Sequence, residues 1–521
     1  MARKIVAMIL FASFSTPVWA IEPDARFLEL AAENKKAWSA EDQQVDKRLG
    51  ALEKRFGKRP NIIFILADDV GWAEPGCYLG GMMMGRPSEN LDTLADQGMM
   101  FKQGYAEPSC TPTRLAIMTG RHPPRTGLTT VLWPGSPDHL GLHPDEVTIA
   151  ELLSDAGYNT AMWGKWHLGD AEAFAPENQG FDYAHYGLFN GAVWFWLDVE
   201  GHYKDRKIVT GAHPFVDFPG ADEYLDKYGI DITEGYYRGI KGKGRKETKR
   251  LTSSKDMEDF EETSIDEICG YIKEKADDEK PFFIYWATYF HQDAASPQEY
   301  RLINGVDYAN NQAAQAGQHD AHLKRLVQTI KAAGIDENTL IVWVSDNGPM
   351  QYFWPNGGYS WLRGHKGDVL EGGVRVPFIA RWPGMIEPRQ KPIDMIHIVD
   401  LFTTAARIGG AMDKIPNDRI TDGVDQSSLL LLGDGHSRRD YIFHYSGPNL
   451  GAIRWGDIKI HYVEGKGGLP AGELYNIKRD PREEHAEKGA LLALSVPFSD
   501  LARKHNERTK KFPNRELKPK D

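Results

Sequence analysis

The sequence predicts an α/β protein, a large and mostly parallel sheet flanked by helices, followed by a smaller α+β unit. Three observations predict it. Apolar runs that end on polar residues recur along the chain: "NIIFILADDVG" (61–71), "TAMWGKWHLG" (160–169), "PFFIYWATYFH" (281–291) and "TLIVWVSDNG" (339–348). Such runs are buried strands stopping at loops. Helical segments lie between them, among them "PDEVTIAELLSDAG" (144–157) and "DAHLKRLVQTIKAAG" (320–334), and this alternation is of the βαβ kind. Beyond 435 the signals shorten to "DYIFHYSG", "AIRWGDIKIHYVE" and "GELYNIKRDPREE", followed by a helix and a basic tail.

Residues 1–20, "MARKIVAMILFASFSTPVWA", have Arg3 and Lys4, then an apolar run, then Val18 and Ala20 placed for signal peptidase. This is a removable export signal, with a periplasmic or secreted product. The run is short for a membrane span, no later segment is apolar enough for one, and no cysteine follows it to carry a lipid anchor. Residues 21–59 form a charged N-terminal helical extension, read as a solvated surface helix. The larger domain then covers 60–434, and the C-terminal subdomain 435–521. Within the larger domain, about 200–262 departs from the pattern: "KGKGRKETKR" precedes "DMEDFEE", an exposed insertion whose charges are solvated.

Composition bounds the function. The chain has 521 residues, 41% of them hydrophobic, enough for one large core and a lesser one. Lys and Arg number 62 against 74 acids, a net charge of -12, which argues against wholesale binding to nucleic acid or an anionic membrane. An anionic substrate needs a local basic pocket. Three cysteines, Cys77, Cys110 and Cys269, allow at most one disulfide, so at least one has another job.

A mostly parallel sheet places its ligand site at the carboxyl ends of the strands, where Asp68, Asp69, Lys165, His167, His291, Asp346 and Asn347 would converge. If the tips bearing Asp68–Asp69 and Asp346–Asn347 are neighbours, they offer only oxygen ligands, a set suited to calcium or magnesium. Taken alone, the adjacent aspartates read equally well as helix caps. Cys110 stands before a helix in which Thr111 caps, Pro112 takes the first turn and Gly120 follows the end. The helix N-terminus and Arg114 together make a receptor for a tetrahedral oxyanion. Cys110 is then either a thiolate nucleophile activated by that field or a buried thiol without a role. A soft thiolate beside a hard cation is a poor match, which suggests that sulfur is not what reacts.

"PSCTPTRLAIMTG" (108–120), with "LADDVG", "GYNTAMWGKWHLG", "SDNG", "GHKGDVLEGGVRVPFIARWPG" and "ELYNIKRDPREE", resembles the formylglycine-dependent sulfatases, arylsulfatase-like members of the alkaline phosphatase superfamily. The resemblance implies an alkaline phosphatase-like fold and hydrolysis of an organic sulfate monoester, aryl or carbohydrate. It implies that a maturation enzyme oxidises Cys110 to formylglycine in the nascent chain. One hydroxyl of the hydrated aldehyde would attack sulfur, and the second would expel sulfate by elimination.

By match to the family's motifs, Asp68, Asp69, Asp346 and Asn347, with residue 110, hold one Ca2+ or Mg2+, and Arg114 supports the diol. Lys165 and His167 hold sulfate and take the elimination proton. His291 protonates the leaving alcohol and Lys366 binds sulfate oxygens. Two departures stand out: Trp163 replaces a small residue near Lys165, and His291 lacks the usual preceding proline, leaving His319 and His365 as alternatives.

Aromatics in 191–198 and 354–367 either overhang the site to stack on a ring or simply pack. Cys77 and Cys269 are a disulfide or free thiols. A formylglycine-dependent phosphonate or phosphodiester hydrolase, and a sulfated-glycan-binding protein without turnover, are the rival functions. An asparagine after Asp346 disfavours a two-zinc phosphatase.

Overall fold

The computed structural model describes residues 21–81, 85, 88–132, 140–189, 235–250, 254–290, 302–303, 306–307, 311–351, 358–463 and 471–516. The export signal, His291, residues 191–198 and Trp354 lie outside the described residues.

The chain begins with α1 (Ala25–Phe56), capped by Asp24, whose carboxylate accepts the Arg26 N–H, and closed by Gly57 at φ 72°. The solvated-helix reading is corrected here, because one face is buried. Phe27, Leu30, Ala31 and Trp38 pack into the core of the C-terminal unit, while Val45, Leu49 and Leu52 enter the main core. Apolar residues on one stripe of an otherwise charged helix are enough to dock it.

The following elements are β1 (Asn61–Ala67), α2 (Glu89–Asp96), β2 (Met99–Tyr105), α3 (Cys110–Thr119), α4 (Ile149–Asp155), β3 (Asn159–Lys165), β4 (Tyr183–Gly187), β5 (Gly235–Ile240), β6 (Gly244–Arg250), α5 (Ser254–Lys275) and β7 (Phe282–Ala287). After them come α6 (Asn311–Ala332), β8 (Thr339–Ser345), β9 (Arg375–Arg381), β10 (Met395–His397) and α7 (Asp400–Gly409). Ten strands form one sheet in the order β10-β2-β9-β8-β1-β7-β3-β4-β5-β6. Its centre, β8 to β4, is parallel throughout; antiparallel pairs flank it on both sides, and the short β10 adds to β2 in parallel at one edge.

Both faces are covered, which is why the central strands read as unbroken apolar runs. Ile62, Phe64 and Leu66 face a core with residues of α3, α4 and α7. Ile63, Ile65 and Ala67 face the opposite core, built on α2, α5 and α6. Register aligns Ala67 with Ser345, so the acids that follow these residues emerge side by side.

Residues 235–250, expected within an exposed insertion, instead extend the sheet as the hairpin β5–β6. Its charges obscured the strand pattern, since an outer strand has few partners to face. The C-terminal sheet is antiparallel in sequence order, β11 (Tyr441–Ser446), β12 (Asn449–Trp455), β13 (Ile458–Val463) and β14 (Ala471–Asn476). It is followed by α8 (Lys488–Lys511), whose Phe498 and Leu501 share its core. Cys77 and Cys269 are free thiols. Among the described residues no helix is long and apolar enough to cross a membrane.

A buried pair joins the two units. Asp400, at the start of α7, meets Arg439 at 2.5 Å with both side chains fully buried, and accepts further hydrogen bonds from His397 N, Val424 N and Gln426 Nε2. Replacing Asp400 with Ala leaves the Arg439 charge buried without its partner, so equilibrium urea unfolding should show a loss of about 3–5 kcal/mol. A loss under about 1 kcal/mol would mean that the pair does not tie the units together.

Candidate active site

The site stands at the carboxyl ends of β1, β8 and β3, beside the N-terminus of α3. Asp68 and Asp69 follow β1, and Asp346 and Asn347 follow β8. Asp346 N donates to the Ala67 carbonyl at 2.9 Å, and Asp69 N donates to Asp346 Oδ1 at 3.1 Å, which locks the two tips together. Asn347 Nδ2 donates to Asp69 Oδ1 at 2.6 Å. All four side chains are buried.

Cys110 is fully buried and is the first residue of α3. The cap position belongs to Ser109, extended at φ −156°, and not to Thr111. Thr111 Oγ1 instead accepts the Leu132 N–H at 3.2 Å. The helix ends as read from the sequence, with Gly120 left-handed at φ 66°. Donor atoms of Cys110, Asp68 and Asp346 lie within 4.8 Å of one another.

Three cations enclose the acids. Arg114, one turn into α3, donates from Nη2 to Asp346 at 2.9 Å and from Nη1 to the Lys165 carbonyl at 2.8 Å. Lys165 Nζ meets Asp68 at 2.5 Å, and Lys366 Nζ meets Asp69 at 2.7 Å. Gly164 makes the placement of Lys165 possible: at φ +100°, a Cβ there would lie 1.9 Å from the Ala287 carbonyl oxygen of β7. Trp163 looks elsewhere, its indole N–H donating to Glu267 at 2.9 Å.

The electrostatics follow from burial against these charges. Burial opposes ionisation of Asp68, but Lys165, then Arg114 and Lys366, outweigh it and hold the carboxyl well below the usual range. Burial, then the Asp68 charge, push Asp346 up to about 7 against the pull of Arg114. Burial likewise pushes the Cys110 thiol up, overriding the pull of Lys165 and Lys366, with Asp346 and Asp68 adding to the rise. A raised thiol does not favour the thiolate reading of this cysteine.

His167, left-handed at φ 59°, is driven far below its ordinary value by burial and then by Lys165 and Arg114. Its Nε2–H donates to the Leu132 carbonyl at 2.8 Å. That bond fixes the tautomer, leaving Nδ1 as a lone-pair nitrogen, buried and without a partner.

The alternative histidines sit differently. His319 Nε2 accepts the Trp343 indole N–H at 2.9 Å and its ring stacks on Phe290, so it belongs to the packed layer behind the strands. His365 is half exposed and faces Asp368 at 3.6 Å. Within the described part of the aromatic loop, Trp361 is exposed and its carbonyl accepts from Arg482. Sequence reasoning missed Ser345 and Glu74. Ser345 Oγ accepts Val70 N at 2.9 Å and donates to the Asn347 carbonyl at 3.0 Å. Glu74 accepts Gly71 N and Tyr359 N. Both act on backbone, and only the position of Ser345 within "SDNG" pointed to it.

Residues 60–411 match the Sulfatase family model. The chain belongs to the sulfatase family. It is 32% identical over 448 residues to an arylsulfatase of Hemicentrotus pulcherrimus, covering 80% of this chain and 72% of that one. It is 30% identical over 466 residues to an N-acetylgalactosamine-6-sulfatase of Rattus norvegicus, covering 84% and 80%. The crystal structure of the PsFucS1 sulfatase from Pseudoalteromonas sp. superposes with a TM-score of 0.83 at 32% identity, covering 92% of this chain and 96% of that one. This sulfatase is accordingly an enzyme acting on sulfate esters, built on a mixed sheet with a small antiparallel subdomain.

Arg114 joins Asp346 to the end of β3 with two arms of one planar group, which a lysine lacks. Arg114→Lys should lower kcat on an aryl sulfate by about 10²–10³-fold while circular dichroism reports a folded protein. Activity within a few-fold of the parent would show that the fork is dispensable.

Proposed function

We propose that this sulfatase hydrolyses an aryl or carbohydrate sulfate monoester with a formylglycine made from Cys110 and one hard divalent cation, Ca2+ or Mg2+. The observation that carries the reading is a pair of buried oxygens, Asp68 Oδ1 and Asn347 Oδ1, that lack any hydrogen-bond partner in a cluster of three aspartates. A buried carboxylate or amide oxygen without a partner is costly, and a cation among all-oxygen donors would remove that cost. The residues present fit such an ion: Asp68, Asp69, Asp346 and Asn347 would hold it, with residue 110 adjoining. Together the two groups supply a Lewis acid and an oxygen nucleophile in place of a buried thiol.

The chain's own residues supply the rest. Arg114 keeps positive charge beside residue 110 and orients Asp346. Lys165 and Lys366, each held by one aspartate, present ammonium groups for the oxygens of a sulfate. Nδ1 of His167 offers a lone pair to which the elimination proton would pass transiently, because the ring is neutral and its other nitrogen is committed. His291 is proposed to protonate the leaving alcohol. Maturation requires a partner enzyme acting before folding, since Cys110 is inaccessible afterwards. Residues 1–20 would direct export and be removed in the process.

Peptide mass spectrometry of the protein from a host with a maturation enzyme should find the Cys110 peptide lighter by the thiol-to-aldehyde difference. Active protein carrying only the intact thiol would contradict the mechanism. Chelation followed by Ca2+ or Mg2+ should raise the unfolding free energy by about 4 kcal/mol at a thousand times Kd. Asn347→Leu should abolish that rise, and Cys110→Ser should largely retain it while losing turnover. An equal rise in Asn347→Leu would place the ion elsewhere.

A further inference from the structure

The hairpin β5–β6 is strongly basic in an acidic protein. Gly235–Arg250 carries seven cations and a single acid, Glu247, whereas the whole chain has a net charge of -12. Arg238, Lys241, Lys243, Lys246, Lys249 and Arg250 are all exposed. Arg245 is the structural exception: its guanidinium lies 4.9 Å over the Tyr237 ring and donates to the Asp170 carbonyl.

Two features separate this surface from ordinary solvated charge. Arg238 and Lys246 face each other directly across the two strands, and like charges so placed destabilise a hairpin. Glu267, at 2.5 Å from Arg238, offsets one of them. Lysines do blunt an edge strand against aggregation. That purpose is served by either sign, and does not call for Lys243 at the turn; Lys241 beside it donates to Ser154 Oγ at 3.0 Å and lies 3.8 Å from Asp182.

Register connects the hairpin to the site. Lys165 pairs with Gly187, Gly187 with Tyr236, and Tyr236 with Lys249. Lys249 therefore stands in the same row as a candidate sulfate-binding residue, three strands away. At about 4.8 Å per strand the two backbones are about 14 Å apart. Lys249 and Arg250 end β6 on the edge of the sheet where Asp68, Lys165 and Asp346 emerge.

We infer that this hairpin binds the anionic groups of a polymeric sulfated glycan, one sulfate ester of which enters the Cys110 site. The inference rests on the sulfatase reading for the identity of the ester and adds that the substrate is a polyanion longer than a single sulfated unit. The acidic remainder of the protein repels such a chain, so the basic strip gives it one track across the surface.

The test compares the full-length protein with its Lys246→Gln/Lys249→Gln/Arg250→Gln variant, using dextran sulfate as probe and uncharged dextran as control. At low salt the variant should bind dextran sulfate about tenfold more weakly, with a shallower salt dependence. Its kcat and KM on a small aryl sulfate should match the parent, and its melting temperature should be equal or higher. Equal binding of dextran sulfate by both proteins would overturn the proposal, as would tighter binding of single-stranded RNA or phosphatidylserine vesicles than of dextran sulfate. A Cys110→Ala protein should show the same difference between hairpin variants. Failure of the hydrolytic reading and failure of the hairpin's role are thus read separately.

Discussion

Three aspartates and an asparagine buried together at the tips of two adjacent parallel strands are the constraint that the rest of the structure answers. Water is excluded from Asp68, Asp69, Asp346 and Asn347, and burying an uncompensated carboxylate costs several kcal/mol. The fold brings Lys165, Arg114 and Lys366 to them from three separate segments. The compensation is incomplete, since two oxygens are left without partners. On the proposed reading, those two oxygens are the ones that a bound cation would satisfy.

Topology determines which groups share that space. Placing β1 between β8 and β7 sets the two acidic tips side by side, and β2 returns on the far side so that α3 begins at the same edge. Arg114 then ties α3 to both β8 and β3 through one guanidinium. Asp69 and His167, two buried candidate site residues, have left-handed backbone, a conformation that non-glycine residues adopt at a cost where the surroundings enforce it. The C-terminal unit contributes at one remove: Lys459 of β13 is buried against Glu371 and Glu483, and the turn begun by Glu371 supplies the Gly373 carbonyl that accepts Gly348 N, next to Asn347.

Much of this was legible in the sequence, for identifiable reasons. Strands buried on both faces give continuous apolar runs, so β1, β3, β7 and β8 and their polar ends stood out. Arg114 was found because one helical turn brings it back toward Cys110. Features that depend on tertiary contact were less visible. Helix α1 hides its buried stripe among charges, and the burial of its first half comes from a sheet more than 380 residues later in sequence. Strand β6 has no second sheet neighbour among the described residues, and therefore no alternation to betray it. Thr111 looked like a cap by residue type, yet Ser109 has the extended backbone that the position requires. Ser345 and Glu74 order backbone amides and carry no motif of their own chemistry.

The central claim is that this buried cluster exists to hold a hard cation against an oxygen nucleophile derived from Cys110. A crystal structure of the matured enzyme, with anomalous differences collected at long wavelength, tests it most directly. The prediction is a cation bonded to oxygens of Asp68, Asp69, Asp346 and Asn347, with oxygen in place of sulfur at residue 110. A sulfur peak at residue 110 in fully active crystals, with the aspartates bonded only to Lys165, Arg114 and Lys366, would contradict it.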